Sequence, residues 1–252
     1  MGVKITDIAY TFGLKILNKG SEDVEVKNIE TNRCGLQLSG FYDYFEEKRI
    51  QIIGNAENGY LLSLPPSDRQ QAICKLISHN VPCIILTNDI EVPEEIVDFA
   101  KQYNRWLLSS DKSTSSFQID LTLYLQNGLA QSINYHGDLL DVYGVGVMIT
   151  GESGIGKSET ALDLIRNGHL MVADDSIIIK KLGSNLLVGT GSELTKNLME
   201  LRGIGIININ SLFGKRAIRL QKNVEIIINL EQWNENYYYD RVGEEYEKTS
   251  IL

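Results

Sequence analysis

The sequence predicts an α/β protein in two parts, a small N-terminal α/β domain over residues 1–130 and a P-loop domain over residues 131–252. Three observations carry this. In the first part, apolar strand-like runs alternate with helical spacing, the pattern of a sheet covered by helices. Around residues 128–132 the pattern changes to short strands. Beyond that point a complete G-x-x-x-x-G-K-[ST] loop stands between a strand and a helix.

Taken in order, Pro65-Pro66-Ser67-Asp68 opens a helix with Ala72, Ile73, Leu76 and Ile77 on one face, since proline suits the first helical turn. Residues 81–87, Val-Pro-Cys-Ile-Ile-Leu-Thr, read as a buried strand. A second helix runs from Pro93, with Ile96, Val97, Ala100 and Tyr103 at helical spacing. After the polar run 109–114, a third carries Phe117, Leu121, Tyr124 and Leu125. In the second part, residues 145–150 form a buried strand that feeds the loop, and 159–165 form a helix with Ala161, Leu162 and Ile165 on one face. Strands are expected at 170–173, 176–181 and 224–230, with 183–191 as a hairpin turn and loop.

The loop itself reads Gly151-Glu152-Ser153-Gly154-Ile155-Gly156-Lys157-Ser158. Glycines let backbone N–H groups converge on phosphate oxygens where a Cβ would clash. Lys157 would reach the β/γ-phosphates, the Ser158 hydroxyl would ligate Mg²⁺, and the helix N-terminus adds positive potential. The chain is expected to bind a nucleoside triphosphate.

Composition narrows the class. Hydrophobic residues make up 43% of 252, enough for real cores, and the net charge is −9. Acidic residues exceed basic ones in both parts, which argues against a nucleic-acid surface and against docking on anionic lipid. Cys34, Cys74 and Cys83 form neither a C-x-x-C nor an even disulfide framework, and read as reduced, mostly buried thiols. No apolar stretch reaches membrane-spanning length, and Met1 precedes a mixed polar segment instead of a signal-peptide core. The expectation is a cytoplasmic protein.

Asp174-Asp175 ends the strand that follows the P-loop helix, where P-loop proteins place a carboxylate toward Mg²⁺. Two adjacent carboxylates raise each other's proton affinity, making one a candidate general base. Taken alone, Glu200-Leu201-Arg202-Gly203-Ile204-Gly205-Ile206-Ile207-Asn208 reads as a helix end followed by a buried strand. By the same standard His136-Gly137 is a turn, Arg241 a surface ion-pair residue, and tyrosines 237–239 strand or packing residues. His79 and His169 suit helix C-terminal ends. The absence of an Asn-Lys-x-Asp motif counts against a GTPase.

Together these residues resemble the bacterial HPr kinase/phosphorylase family. Gly40-Phe41-Tyr42-Asp43-Tyr44-Phe45 and Arg49-Ile50-Gln51-Ile52-Ile53-Gly54 are similar to its N-terminal signature, as are Val81-Pro82-Cys83-Ile84-Ile85 and Pro93-Glu94-Glu95. The decisive matches are His136-Gly137, Val142-Tyr143-Gly144-Val145-Gly146-Val147, the P-loop, Ala173-Asp174-Asp175, the Glu200 segment, Leu212-Phe213-Gly214 and Asp240-Arg241.

The resemblance implies an ATP-dependent kinase acting on a serine of the phosphocarrier HPr in carbon catabolite regulation. It also implies phosphate-dependent dephosphorylation releasing pyrophosphate, a catalytic domain similar to phosphoenolpyruvate carboxykinase, and assembly as homohexamers. Carried over by position, Asp175 is the proton acceptor in transfer and the donor in reverse. His136 and Lys157 are catalytic, Ser158 and Glu200 bind Mg²⁺, and Arg241 stabilises charge at the reacting centre. Residues 199–208 belong to the mechanism in both directions. Family members continue past the Arg-Val-Gly-Glu-Glu region with a strand, a basic loop important for dephosphorylation, and terminal helices that dock HPr. This chain ends at Leu252, as a fragment or a short member. The rival readings are an ATP-binding regulator with little transferase activity and a small-molecule kinase, the latter leaving the N-terminal match unexplained.

Overall fold

Four parallel strands, Thr31–Arg33, Ile50–Ile53, Cys83–Leu86 and Trp106–Ser109, lie side by side in chain order, and Lys15–Asn18 adds an antiparallel edge. Ile50–Ile53, Cys83–Leu86 and Trp106–Ser109 are buried at every position. Helices cover both faces, so the strands need not alternate apolar with polar residues. On one face Ile52, Ile85 and Leu108 pack with Phe117, Leu121 and Leu125 of the helix Thr114–Gly128. On the other, Ile84, Leu86 and Leu107 meet Ile73, Leu76 and Ile77 of Pro66–Ser78 and Ile96 and Ala100 of Glu94–Gln102. The chain here is a computed structural model describing residues 2–183, 185–236, 249 and 251–252. It divides into units Met1–Leu129 and Ala130–Leu252, and the five-stranded sheet belongs to the first.

The second unit stacks two four-stranded sheets. One has the order Leu170–Ala173, Asp138–Val142, Val145–Gly151, Ile226–Leu230, with the last pair parallel. The other, wholly antiparallel, has the order Gln221–Asn223, Leu186–Gly191, Ser176–Leu182, Ser132–His136. Strand alternation feeds two cores. Leu139, Met148 and Val172 pack with Ile177 and Ile179 of the other sheet. Leu140, Val147, Ile149 and Met171 turn the other way, onto Ala161 and Ile165 of the helix Lys157–Arg166.

Two expectations are corrected. Leu186–Gly191 is not a loop but a strand, paired with Ser176–Leu182 from Leu186 opposite Leu182 to Gly191 opposite Ile177. Its Gly189 lies under Leu139, whose Cδ2 would stand 2.4 Å from a Cβ there, so packing explains the glycine. The segment from Glu200 is not a helix end before a buried strand. Leu198–Leu201 and Gly205–Asn208 form a β-hairpin, and the second strand is largely exposed.

Cys34 and Cys83 are buried and Cys74 partly so, all three as free thiols. Among the described residues, no helix is long and apolar enough to cross a membrane.

Candidate functional site

The strand Val145–Gly151 delivers the phosphate loop from the middle of its sheet. It leaves Asp138–Val142 through Tyr143 and Gly144, both left-handed at φ 52° and 85°, the two-residue turn that matches strand twist. At Gly151, φ is 140° and a Cβ would sit 2.4 Å from the Leu230 carbonyl oxygen, so the neighbouring strand excludes a side chain. Gly156, at φ 108°, caps the ten-residue helix Lys157–Arg166. Lys157 is 8% exposed, and its Nζ donates to the carbonyls of Gly151 at 3.0 Å and Glu152 at 3.1 Å. The loop thus folds around its own cation, leaving the amides at the helix start free to face an anion.

Asp174 and Asp175 follow the buried strand Leu170–Ala173. Asp175 adopts φ 63°, left-handed and unusual for a residue with a Cβ. Three consecutive residues hold it. His136 Nδ1 lies 3.2 Å from its Oδ1, Gly137 N–H donates to its carbonyl at 3.2 Å, and its own N–H donates to Asp138 Oδ1 at 3.0 Å. The carboxylate itself stays open to solvent, with 68% of the side chain exposed. The conformation is therefore held by partners, and the carboxylate oxygen atoms remain accessible.

Asp174 points inward. Its Oδ2 accepts the Glu200 N–H at 2.9 Å, and it accepts the Ser158 hydroxyl. It therefore ties the phosphate loop to the hairpin. Burial raises its proton affinity, opposed by those two hydrogen bonds. Burial, and then the charge of Asp174, push the Asp138 carboxyl up to about 7. Asp138 Oδ2 and Asp174 Oδ1 are both buried without a hydrogen-bond partner, an arrangement that one shared proton would satisfy.

In the hairpin, Met199 and Leu201 are buried against the core under the helix. Period-two alternation then turns Glu200 to the opposite side, and Arg202 follows at the turn. One cleft of about 170 Å³ is lined by His136, Asp138, Ser153, Gly154, Gly156, Lys157, Ser158, Glu159, Asp174, Asp175, Glu200 and Arg202. A larger cavity, about 580 Å³, lies among Asp23, Lys27, Glu46 and Lys48 of the N-terminal unit and contains no part of the loop.

Of the residues the sequence singles out, His136, Ser153, Gly154, Gly156, Lys157, Ser158, Asp175 and Glu200 share this cleft. Gly151 and Glu152 contribute carbonyls to Lys157, and the Ile155 side chain packs beside Gly151, its Cγ2 3.1 Å from where a Cβ there would lie. Arg241 and tyrosines 237–239 lie outside the described residues. The sequence does not single out Asp138, and Arg202 enters only within the segment 199–208 that the family resemblance carries into the mechanism. The signal for Asp138 was a carboxylate at the start of the apolar strand, directly after His136-Gly137.

The site fits a nucleotide with a divalent cation. Positive φ at Gly154 (85°) and Gly156 (108°) gives the loop its phosphate-cradling backbone. Among the described residues no group of three or more His, Cys, Asp or Glu could hold a metal alone. Mg²⁺ suits such a site, because it commonly takes one or two protein ligands and completes its shell with phosphates and water.

Residues 3–125 match the family described as HPr Serine kinase N terminus, and residues 127–252 the HPr Serine kinase C-terminal domain. The HPr kinase/phosphorylase of Clostridium acetobutylicum is 44% identical over the whole chain, which spans 83% of that relative. The enzyme of the same name from Clostridium perfringens is 42% identical over the whole chain and 82% of its own length. A solved structure of the Hpr(Ser) kinase/phosphatase from Coxiella burnetii aligns at 36% identity and a TM-score of 0.41, covering 44% of this chain and 67% of that one.

Proposed function

The chain belongs to the HPr kinase/phosphorylase family, and from that premise we propose that it transfers the γ-phosphoryl group of ATP to a serine of HPr. The same site would remove that group with inorganic phosphate, releasing pyrophosphate. The observation that carries this reading is the convergence of Asp175, His136, Lys157 and Glu200 on one cleft beside the phosphate loop.

A serine hydroxyl is a weak nucleophile, so a carboxylate placed to take its proton lowers the barrier directly. Asp175 has that role: its carboxylate is open to an incoming hydroxyl, and its backbone is fixed by Gly137 and Asp138. In the reverse direction the same carboxyl returns the proton to the departing serine oxygen. His136 orients Asp175 through the 3.2 Å contact. Lys157 balances charge on the phosphates, and the loop amides hold them, which is most of what phosphoryl transfer requires. Mg²⁺, held by Ser158 and Glu200, would neutralise phosphate charge when bound. Arg241 completes the site in this reading, adding positive charge at the reacting centre.

The reading extends to a cytoplasmic homohexamer serving carbon catabolite regulation, with residues 1–130 as a separate N-terminal domain and 131–252 as the catalytic one. An ATP-binding regulator with little transferase activity would have no need of the Asp175 clamp. Incubation with purified HPr, Mg²⁺ and γ-labelled ATP tests the proposal. Label on an HPr serine is expected, and nucleotide binding without any transfer would overturn it.

A further inference from the structure

We propose that Asp138 is a positioning residue for the transfer, one buried side chain that holds the Asp175 base in place and ties it to the arm carrying Ser158 and Glu200. The proposal rests on the transfer reading above and concerns a residue to which the family resemblance gives no part.

The base stands on a strained turn. Ser176 N–H donates to the Asp174 carbonyl at 2.7 Å, which closes a three-residue γ-turn with Asp175 at its centre. At φ 63°, Asp175 takes the left-handed form of that turn, which residues with a Cβ rarely adopt. Such a conformation persists only where its surroundings over-determine it. The Asp175 N–H donates to Asp138 Oδ1 at 3.0 Å, so a side chain from the neighbouring strand supplies its acceptor.

An apolar residue would serve the core at this position. Alternation puts Asp138 on the face of its strand shared with Leu140, opposite Ile149, where the helix Lys157–Arg166 covers an apolar cluster. Asp138 is 1% exposed, and burying a carboxyl there is unfavourable unless its oxygens are matched. Among the described residues no cation lies within ion-pair distance of it, and Lys157 Nζ is turned to the Gly151 and Glu152 carbonyls. Its two polar contacts are the Asp175 N–H and the Asp174 carboxyl. Asp174 in turn accepts the Glu200 N–H at 2.9 Å and the Ser158 hydroxyl. Asp138 thus joins the base on one side to the Ser158 and Glu200 arm on the other.

The chemistry depends on that placement. A carboxylate takes the serine proton only from within hydrogen-bond reach, and a displacement of about 1 Å can lower the rate by about 10²-fold. Without the Asp138 acceptor the Asp175 N–H is left unpaired, and the turn relaxes toward negative φ. The carboxylate then swings away from His136 Nδ1, now 3.2 Å from its Oδ1. Asp138 does not meet the substrate; it acts through Asp175.

The test compares the full-length wild type with Asp138→Asn, Asp138→Leu and Asp138→Ser. Transfer to HPr, ADP affinity and hydrogen exchange at the Asp175 amide are measured in each. Asp138→Asn keeps an acceptor for that amide and should hold kcat within about threefold. Asp138→Leu removes the acceptor at similar volume, and kcat should fall by about 10- to 10²-fold. Its ADP affinity should stay within about twofold, which also reports an intact fold. Asp138→Ser, whose hydroxyl is too short to reach, should show the same loss and replaces Asp138→Leu if that variant does not fold. Placed on Asp175→Asn, Asp138→Leu should lower the rate by less than about twofold more, because its effect runs through Asp175. Exchange at Asp175 should be slow in the wild type and Asp138→Asn, and fast in the other two. Unchanged kcat or unchanged Asp175 exchange on loss of the acceptor would overturn the proposal. So would a loss that persists in full on Asp175→Asn, or a parallel loss of ADP affinity, since either makes Asp138 a support of the fold alone. The exchange arm needs no acceptor protein, so it decides the hold on Asp175 even where wild-type transfer to HPr fails and the parent reading falls.

Discussion

His136 Nδ1 and Asp175 Oδ1 stand 3.2 Å apart because the strands that carry them are paired, with His136 opposite Ser176 in the register of Ser132–His136 and Ser176–Leu182. Asp175 immediately precedes its strand, so a one-residue slip in that pairing would turn the imidazole away from it. Sheet register is thus what brings the two groups together.

Asp175→Asn keeps the size of the side chain and removes its ability to take a proton. Transfer to HPr should fall by about 10²-fold or more while nucleotide binding persists. Asp174→Asn acts differently, since Asp174 accepts the Glu200 N–H and the Ser158 hydroxyl. It should weaken Mg²⁺ binding, read as a higher Mg²⁺ requirement for half-maximal rate. A crippled Asp174→Asn beside a fully active Asp175→Asn would show that the base is misassigned.

Lys157→Ala removes the cation that now bridges the Gly151 and Glu152 carbonyls. Loss of about 10²–10³-fold in kcat is expected, as for other preorganised charges at a reacting oxygen. Steady-state kinetics with ATP and HPr measure it. Wild-type turnover in the variant would remove this loop from the mechanism.

The loop and its flanking strand and helix were legible because phosphate binding demands fixed residue types at fixed spacing. Helices Pro66–Ser78 and Glu94–Gln102 were legible from their prolines and apolar period. The hairpin at Leu198–Asn208 was not, since Gly203 and Gly205 read equally well as a helix end and as a turn. Leu186–Gly191 reads as a loop because Gly189 weakens a strand locally, and the Leu139, Ile177 and Val224 side chains that crowd this glycine come from other strands and segments. The placement of Arg202 over Gly154 is a related case, a contact between distant segments that no local pattern encodes.

In the N-terminal unit, Glu57 is 6% exposed and receives Arg33 Nε and Nη2 at 3.0 and 2.9 Å, together with the Gly54 N–H at 2.9 Å. Burial alone would raise its proton affinity, but Arg33 and the backbone donors outweigh it and hold the carboxyl below its usual value of 4.5. A depressed carboxylate contributes stability that is present above the unfolded pKa and is lost as pH falls through the folded one. Arg33→Met should therefore destabilise this unit by about 2–3 kcal/mol at pH 7, discounted from a fully buried pair because Arg33 is half exposed. It should also flatten the loss of stability below about pH 4.5. Urea denaturation followed at Trp106 in a Trp233→Phe background measures both. Equal stability of variant and parent at pH 7 would rule the pair out as a support of this unit.

Asp138 shows the opposite sign. Its carboxyl is 1% exposed and faces Asp174, and burial followed by that neighbouring charge lifts it to about 7, against 3.8 for an ordinary aspartate. A carboxyl raised on folding stabilises fully below its unfolded pKa and loses that contribution as pH rises through the folded one. Without nucleotide or divalent cation, the second unit should lose stability progressively from about pH 4 to pH 7 and beyond. Asp138→Asn removes one of the two charges. Its amide oxygen can still accept the Asp175 N–H, and its NH₂ can donate to Asp174 in place of the shared proton. The variant should then be more stable than the parent by roughly 1–2 kcal/mol at pH 8, with the difference vanishing near pH 4. Amide hydrogen exchange of the Asp138–Val142 strand across this range reads the effect. Flat protection in the parent from pH 5 to 8, once corrected for intrinsic exchange, would mean that the two carboxyls do not share a proton. A variant less protected than the parent at pH 8 would mean the same.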